Sequence, residues 1–243
     1  EDTGLFIFPA QGVPEGTRPR VAVCSAGGGF AYVGSIHDSM PHALWLSRHG
    51  YTAFTLQYRP DLRSGCADLA RAISFIHSRA DELDVDPACY SLWGGSAGAR
   101  LAAALSSYGP ARFGGGDVPG PGTVVMQYTG HSEITGTEPP TYACVGTADG
   151  IVSWRTMQAR TDAIAAARTD ACGSMFRLRS VLRPLCRTAL RRAVRRADGG
   201  PPLWARRHPP PAARLGRRGP FPLFCHGCPR WEHRQRSAIS AED

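Results

Sequence analysis

The sequence predicts an α/β protein built on a doubly wound, mostly parallel sheet, and three observations carry that prediction. Short apolar runs alternate with helical patterns from about residue 20 to residue 147, the signature of a parallel sheet covered on both faces. The apolar run Ala88 to Trp93 passes through Gly94-Gly95-Ser96-Ala97-Gly98 into the helix-forming stretch Ala99 to Leu105, which reads as strand, tight turn, helix. At 243 residues the chain is long enough for one sizeable core that needs no disulfide or metal support.

Taken in order, Leu5 to Phe8 reads as a first strand and Pro14 to Pro19 as the turn after it. Arg20 to Cys24 is a second, continuously apolar strand that runs into Gly27-Gly28-Gly29. Met40 to Gly50 has proline near its first turn and glycine at its close, as a helix should. Tyr51 to Arg59 is a third strand, ended by Pro60. Between Cys66 and Leu83 the residues Leu69, Ile73 and Ile76 fall on one face of a helix. Asp84 to Pro87 breaks it and leads into the strand before Ser96. Beyond the next helix, Gly114 to Gly122 is a surface loop that ends directly at the strand Thr123 to Tyr128. No helix follows that loop and the chain has no lysine, so it is not a phosphate cradle. A second loop, Thr129 to Pro140, leads to the strand Thr141 to Thr147, and Asp162 to Ala167 reads as a helix.

Charge divides the chain. All 28 basic residues are arginine; residues 1–167 carry 11 of them against 15 acids, whereas residues 168–243 carry 17 against 5. The first part is therefore expected to be the folded core and the second an Arg/Pro-rich tail, disordered or an out-of-frame translation of a GC-rich gene. Clustered arginine suits phosphate binding, but no aromatic pattern or binding module accompanies it, so a nucleic-acid partner is not expected. The eight cysteines are scattered, which suits reduced thiols and a cytoplasmic setting. No apolar stretch reaches the length of a membrane span. Cys225 and Cys228 have zinc-ligand spacing without a second ligand pair, so no metal is expected.

Three positions carry candidate chemistry. Ser96, on a turn with glycines at either side, is a candidate nucleophile whose hydroxyl stands clear of the sheet. The glycine triplet can turn backbone N–H groups toward a cavity, so Gly28 or Gly29, with Ala97 after the serine, can form an oxyanion hole. Asp149, just past the strand at 141–147, stands where a histidine-orienting acid belongs in the chain order Ser, Asp, His. Read alone, Asp149-Gly150 is equally a turn.

Together, Gly27-Gly28-Gly29-Phe30-Ala31-Tyr32, Leu56-Gln57-Tyr58-Arg59, Gly94-Gly95-Ser96-Ala97-Gly98, Tyr128-Thr129-Gly130-His131-Ser132 and Pro139-Pro140-Thr141 through Gly150 resemble the α/β-hydrolase superfamily. The resemblance is to small bacterial carboxylesterases and lipases of the dienelactone-hydrolase-like and prolyl-oligopeptidase-like branch, and it spans about residues 5 to 167. It implies the α/β-hydrolase fold, incomplete at the C-terminus. It also implies hydrolysis of a small ester through an acyl-enzyme, Ser96 as nucleophile, Asp149 as acid, and no cofactor.

One departure is large. The family's histidine follows its acid by some thirty residues, but the first histidine after Asp149 is His208. His226, in Cys225-His226-Gly227, has a following glycine like the family's and is the candidate base among His208, His226 and His233. Without a base, Ser96 is a weak nucleophile. The alternative reading is therefore a catalytically dead binding protein on the same fold, with nucleic-acid binding by the tail a weaker option. His131 is expected to be structural or to line the pocket, and His37, His42, His49 and His77 to lie at helix or loop surfaces.

Overall fold

A computed structural model describes residues 3–167 and the strand Cys172–Phe176. Among these residues seven strands form one sheet in the order β1-β3-β2-β4-β5-β6-β7. They are β1 (Gly4–Phe8), β2 (Arg20–Ser25), β3 (Tyr51–Gln57), β4 (Asp86–Gly95), β5 (Thr123–Gln127), β6 (Thr141–Gly146) and β7 (Cys172–Phe176). All neighbours are parallel except β1, which lies antiparallel on β3. The sheet therefore continues past the expected limit at residue 167, since β7 pairs with β6 from Tyr142↔Cys172 to Gly146↔Phe176.

Among the described residues four helices join the strands: α1 (Ser39–Ser47), α2 (Leu62–Ser78), α3 (Ala97–Tyr108) and α4 (Trp154–Ala167), with a 3-10 turn at Pro110–Phe113. Helix α2 begins four residues before the sequence pattern suggests, because Asp61 caps it by accepting the Ser64 N–H at 2.8 Å. Helix α4 begins well before the predicted Asp162. Its early turns bury Met157, Arg160 and Thr161 rather than a run of aliphatic residues, so the apolar pattern there is too thin to read.

The central strands are buried on both faces, as a parallel sheet between helices requires. One core joins Val23, Phe54 and Leu92 of the sheet to Leu69, Ile73 and Ile76 of α2 and Leu101 and Leu105 of α3. Burying a side chain of that size contributes about 1.5–3 kcal/mol. The opposite face joins Cys24, Ala53 and Trp93 to Ala43 and Leu46 of α1. Alternation along β4 thus sends Leu92 to one layer and Trp93 to the other. Of the described cysteines, Cys24 and Cys66 are buried free thiols.

Candidate active site

The carboxyl ends of the parallel strands converge on one edge, where an open α/β sheet binds its ligands. Backbone strain collects there. Of the four described non-glycine residues with positive φ, Ser96 and Tyr128 directly follow β4 and β5 and Phe30 lies in the glycine loop after β2, whereas Asp84 lies elsewhere. Such conformations persist only where the surroundings over-determine them, and they gather at functional sites.

Ser96 stands between β4 and α3 with φ 48° and ψ −111°, a conformation an unconstrained serine avoids. Its neighbours hold it there. A Cβ on Gly94 would come 2.4 Å from the Ala99 nitrogen, and one on Gly98 would come 2.1 Å from the Ser25 carbonyl oxygen. The turn is therefore pressed between its own helix and β2, and only glycine permits that approach. The Ser96 N–H donates to the Gln127 carbonyl at 2.9 Å, tying the turn to β5. The residue is half-buried.

The glycine triplet faces this turn. A Cβ on Gly27 would lie 2.9 Å from Ser96 Cβ. Gly27 is committed at both ends, donating its N–H to Asp38 Oδ2 at 2.6 Å and accepting the Gly34 N–H at 2.9 Å. Gly28 (φ 149°) and Gly29 (φ 62°) follow in conformations that favour glycine, and nothing stands within 4 Å of a Cβ built on Gly29. Ala97 opens α3, so its N–H has no acceptor inside the helix. The three amides expected to form an oxyanion hole thus belong to segments that meet at Ser96.

The Leu56–Arg59 stretch braces the glycine loop. Gln57 Oε1 accepts the Ser35 hydroxyl at 2.7 Å, and the Tyr58 hydroxyl donates to the Ala26 carbonyl at 2.7 Å. Arg59 makes a two-pronged pair with the buried Asp68 of α2 at 3.0 and 2.7 Å. Burial pushes the Tyr58 phenol far above its ordinary pKa, so it remains a neutral donor.

Asp149 lies past β6, two strands along the sheet from β4, which Ser96 follows. Its Oδ1 accepts the Ile151 and Val152 N–H groups at 2.8 and 3.0 Å. That is the turn the Asp-Gly pair predicts. Its Oδ2 is buried and has no hydrogen-bond partner among the described residues. The carboxylate is thus half used by its own loop and half left open. His226, His208, His233 and the Cys225/Cys228 pair lie outside the described residues.

His131 sits in the loop after β5, almost fully buried. Burial, with the charges of Arg160 and Arg100, lowers its pKa to about 4, so the ring is neutral at pH 7. The same loop is anchored by Glu138, which accepts the Ser107 hydroxyl and the Thr135 and Gly136 N–H groups. Burial opposes its ionisation, but these bonds prevail and hold its pKa at about 2.

Two expectations are corrected. His42 is not a surface residue: its side chain is 13% exposed, and Nδ1 lies 3.5 Å from Asp38 Oδ1 one helical turn earlier. His77 is partly buried and meets the Tyr90 ring edge-on. Asp38 is absent from the sequence reading altogether. Its role depends on the loop folding back over Gly27, and the only local signal is an acid one turn before His42 at a helix entrance.

Among the described residues no group of His, Cys, Asp and Glu could hold a metal ion, and no helix is long and apolar enough to cross a membrane.

Known proteins share this fold. Residues 13–112, which include the glycine triplet and Ser96 but not Asp149, match the family BD-FAE, esterase-like α/β-hydrolases. MGS-M1, an α/β-hydrolase enzyme from a Medee basin deep-sea metagenome library, superposes with a TM-score of 0.63 at 20% identity, over 73% of this chain and 77% of its own. Esterase 2 of Thermogutta terrifontis, phosphorylated by paraoxon, gives 0.61 at 22% identity, over 72% and 77%. The same esterase with propionate bound gives 0.59 at 21% identity, over 72% and 78%. No curated protein sequence matches the chain. The fold is that of the α/β-hydrolases.

Proposed function

We propose that the chain is a serine hydrolase of the carboxylesterase type that cleaves a small ester through an acyl-enzyme. The observation that carries this reading is Ser96 at φ 48°, ψ −111°, a strained turn whose glycine neighbours leave the backbone no other course. The Thermogutta esterase of the same fold is described as phosphorylated by paraoxon and, separately, as propionate-bound, which suits an acyl-transfer site.

In the proposed course, Ser96 Oγ bonds to the ester carbonyl carbon as its proton passes to an imidazole. The carbonyl oxygen becomes an oxyanion that accepts hydrogen bonds from Ala97 N–H and from Gly28 or Gly29 N–H. The C–O bond to the alcohol then breaks and the imidazole returns the proton to the leaving oxygen. Water, deprotonated by the same ring, attacks the acyl-serine, releasing the acid and restoring the hydroxyl. Asp149 Oδ2 is the acceptor for the far N–H of that ring, and His226 is the candidate to supply it.

A second reading rests on one fact: among the described residues, none after Asp149 is a histidine. Without an imidazole the same cleft binds an ester and leaves it intact. Turnover of p-nitrophenyl acetate by the full chain, compared with Ser96→Ala, separates the two. A rate that falls to background in Ser96→Ala supports the hydrolase. Equal rates in folded wild type and variant favour the binding protein.

A further inference from the structure

We propose that Asp38 is a positioning residue of the oxyanion hole, acting through the Gly27 amide to hold the glycine loop against Ser96. This deepens the hydrolase reading and rests on Ser96 being the nucleophile. One carboxylate touches both halves of the site. Its Oδ2 accepts the Gly27 N–H at 2.6 Å, a short bond of the charge-assisted kind. The same group packs against the residue before the serine, where a Cβ on Gly95 would lie 2.5 Å from Oδ2 and 2.9 Å from Oδ1. The contact is therefore possible only because position 95 is glycine.

Beyond Gly27 the loop is held from β3 by the Ser35 hydroxyl, which donates to Gln57 Oε1 at 2.7 Å, and otherwise by its own backbone. Gly27 C=O accepts Gly34 N–H, and Gly28 C=O accepts Ala31 and Tyr32 N–H at 3.0 and 3.3 Å. These bonds close the loop on itself, and Asp38 ties the closed loop to the first turn of the chain segment entering α1. With its N–H donated to Asp38, Gly27 is no donor to an oxyanion, which leaves that role in the proposal to the amides of Gly28 and Gly29. The remaining oxygen, Oδ1, lies 3.5 Å from His42 Nδ1, and His42 Nε2 lies 3.5 Å from Gln127 Nε2. The backbone carbonyl of Gln127 accepts the Ser96 N–H. Asp38, His42 and Gln127 thus form a run of polar contacts from the glycine loop to β5, whose last residue also accepts the Ser96 N–H.

If position is what Asp38 supplies, an uncharged acceptor of the same shape should substitute for it and an apolar residue should not. The test measures the rate of Ser96 modification by paraoxon in the full-length chain, read by mass spectrometry, for wild type, Asp38→Asn and Asp38→Ala, with Ser96→Ala as blank. Removing an oxyanion donor costs about 10²–10³ in rate, so misplacing the loop in Asp38→Ala should slow modification at least about tenfold. Asp38→Asn should recover most of the rate. Asp38→Ala reacting as fast as wild type overturns the proposal, and so does Asp38→Asn as slow as Asp38→Ala. Amide hydrogen exchange at Gly27 provides a readout independent of reactivity. It should be slow in wild type and in Asp38→Asn, and fast in Asp38→Ala. If wild-type Ser96 does not react, the hydrolase reading fails while exchange still decides the role of Asp38. If Asp38→Ala does not fold, a Gly27 amide that exchanges freely in wild type overturns the proposal by itself.

Discussion

Gly27 and Ser96 meet across the head of the sheet so closely that a methyl group on the first would lie 2.9 Å from the β-carbon of the second. The glycine loop after β2 and the turn after β4 are therefore one packed unit, although Gly27 and Ser96 lie 69 positions apart in the chain. Their strands are direct neighbours, paired from Ala22↔Ser91 to Ser25↔Gly94, and this register brings the two loops together.

Replacing Gly98 by alanine should be among the most damaging single changes in the chain. The new Cβ would sit 2.1 Å from the Ser25 carbonyl oxygen and 2.7 Å from that of Ala26, with backbone on both sides and nothing able to swing away. We expect a loss of more than about 3 kcal/mol, at the upper end for overpacking. Urea denaturation of the purified variant measures it; a midpoint within experimental scatter of wild type is the contrary result.

Asp149→Asn should separate stability from activity. The amide oxygen can still accept the Ile151 and Val152 N–H groups that Oδ1 accepts now, so the melting temperature should move by only a few degrees. The open acceptor at Oδ2 is replaced by an amide donor or loses its charge. Ester turnover should fall about 10⁴-fold, as for loss of a triad acid that orients histidine. Steady-state kinetics beside a thermal melt checks both halves, and a variant equal to wild type in turnover removes Asp149 from the mechanism.

His131 makes stability depend on mildly acidic pH. Unfolded, the ring takes a proton near its ordinary pKa of about 6.5; folded, burial and the Arg160 charge delay this to about 4. Across that window the unfolded chain binds more protons, so stability is full above pH 6.5 and is lost as pH falls toward 4, by about 2–3 kcal/mol. Glu138, with its folded pKa held at about 2, loses its share only below the ordinary range of a glutamate. Urea midpoints at pH 7.5 and pH 5 should therefore differ in wild type and converge in His131→Phe. An unchanged difference in the variant would falsify the assignment.

Arg59→Ala should destabilise the fold by about 2 kcal/mol, because it removes the guanidinium from the buried Asp68 carboxylate and leaves it the backbone N–H of residue 59. Arg59→Ala combined with Asp68→Leu should regain part of that loss, since it removes the buried charge along with its partner. Denaturant midpoints for the three proteins form the test, and a double variant less stable than Arg59→Ala argues against a buried charge that has lost its partner.

Much of this architecture is legible from the amino acids because the strands are continuous apolar runs with glycine or proline at their ends. Arg20 to Cys24 and Thr123 to Tyr128 show their character without knowledge of neighbours. The order of strands and the antiparallel setting of β1 are not legible, because they depend on which edge each strand finds. Helix α4 hides for a different reason: its buried side includes Arg160 and Thr161, polar residues whose burial is a matter of tertiary contact. Within the site, Ser96 is announced by its flanking glycines, and Asp149 only by its place after a strand. Asp38 is marked locally only as an acid one turn before His42, since a carboxylate eleven residues from the amide it receives is brought there by the loop.

The unusual torsion angles of Ser96 have a consequence for how unfolding should look. A serine released from its strand and helix relaxes into ordinary backbone and loses its pose beside Gly27. With Ser96 as the proposed nucleophile, its reactivity is a chemical gauge of the whole sheet, and in rising urea it should vanish together with the tryptophan fluorescence signal to which Trp93 of β4 contributes.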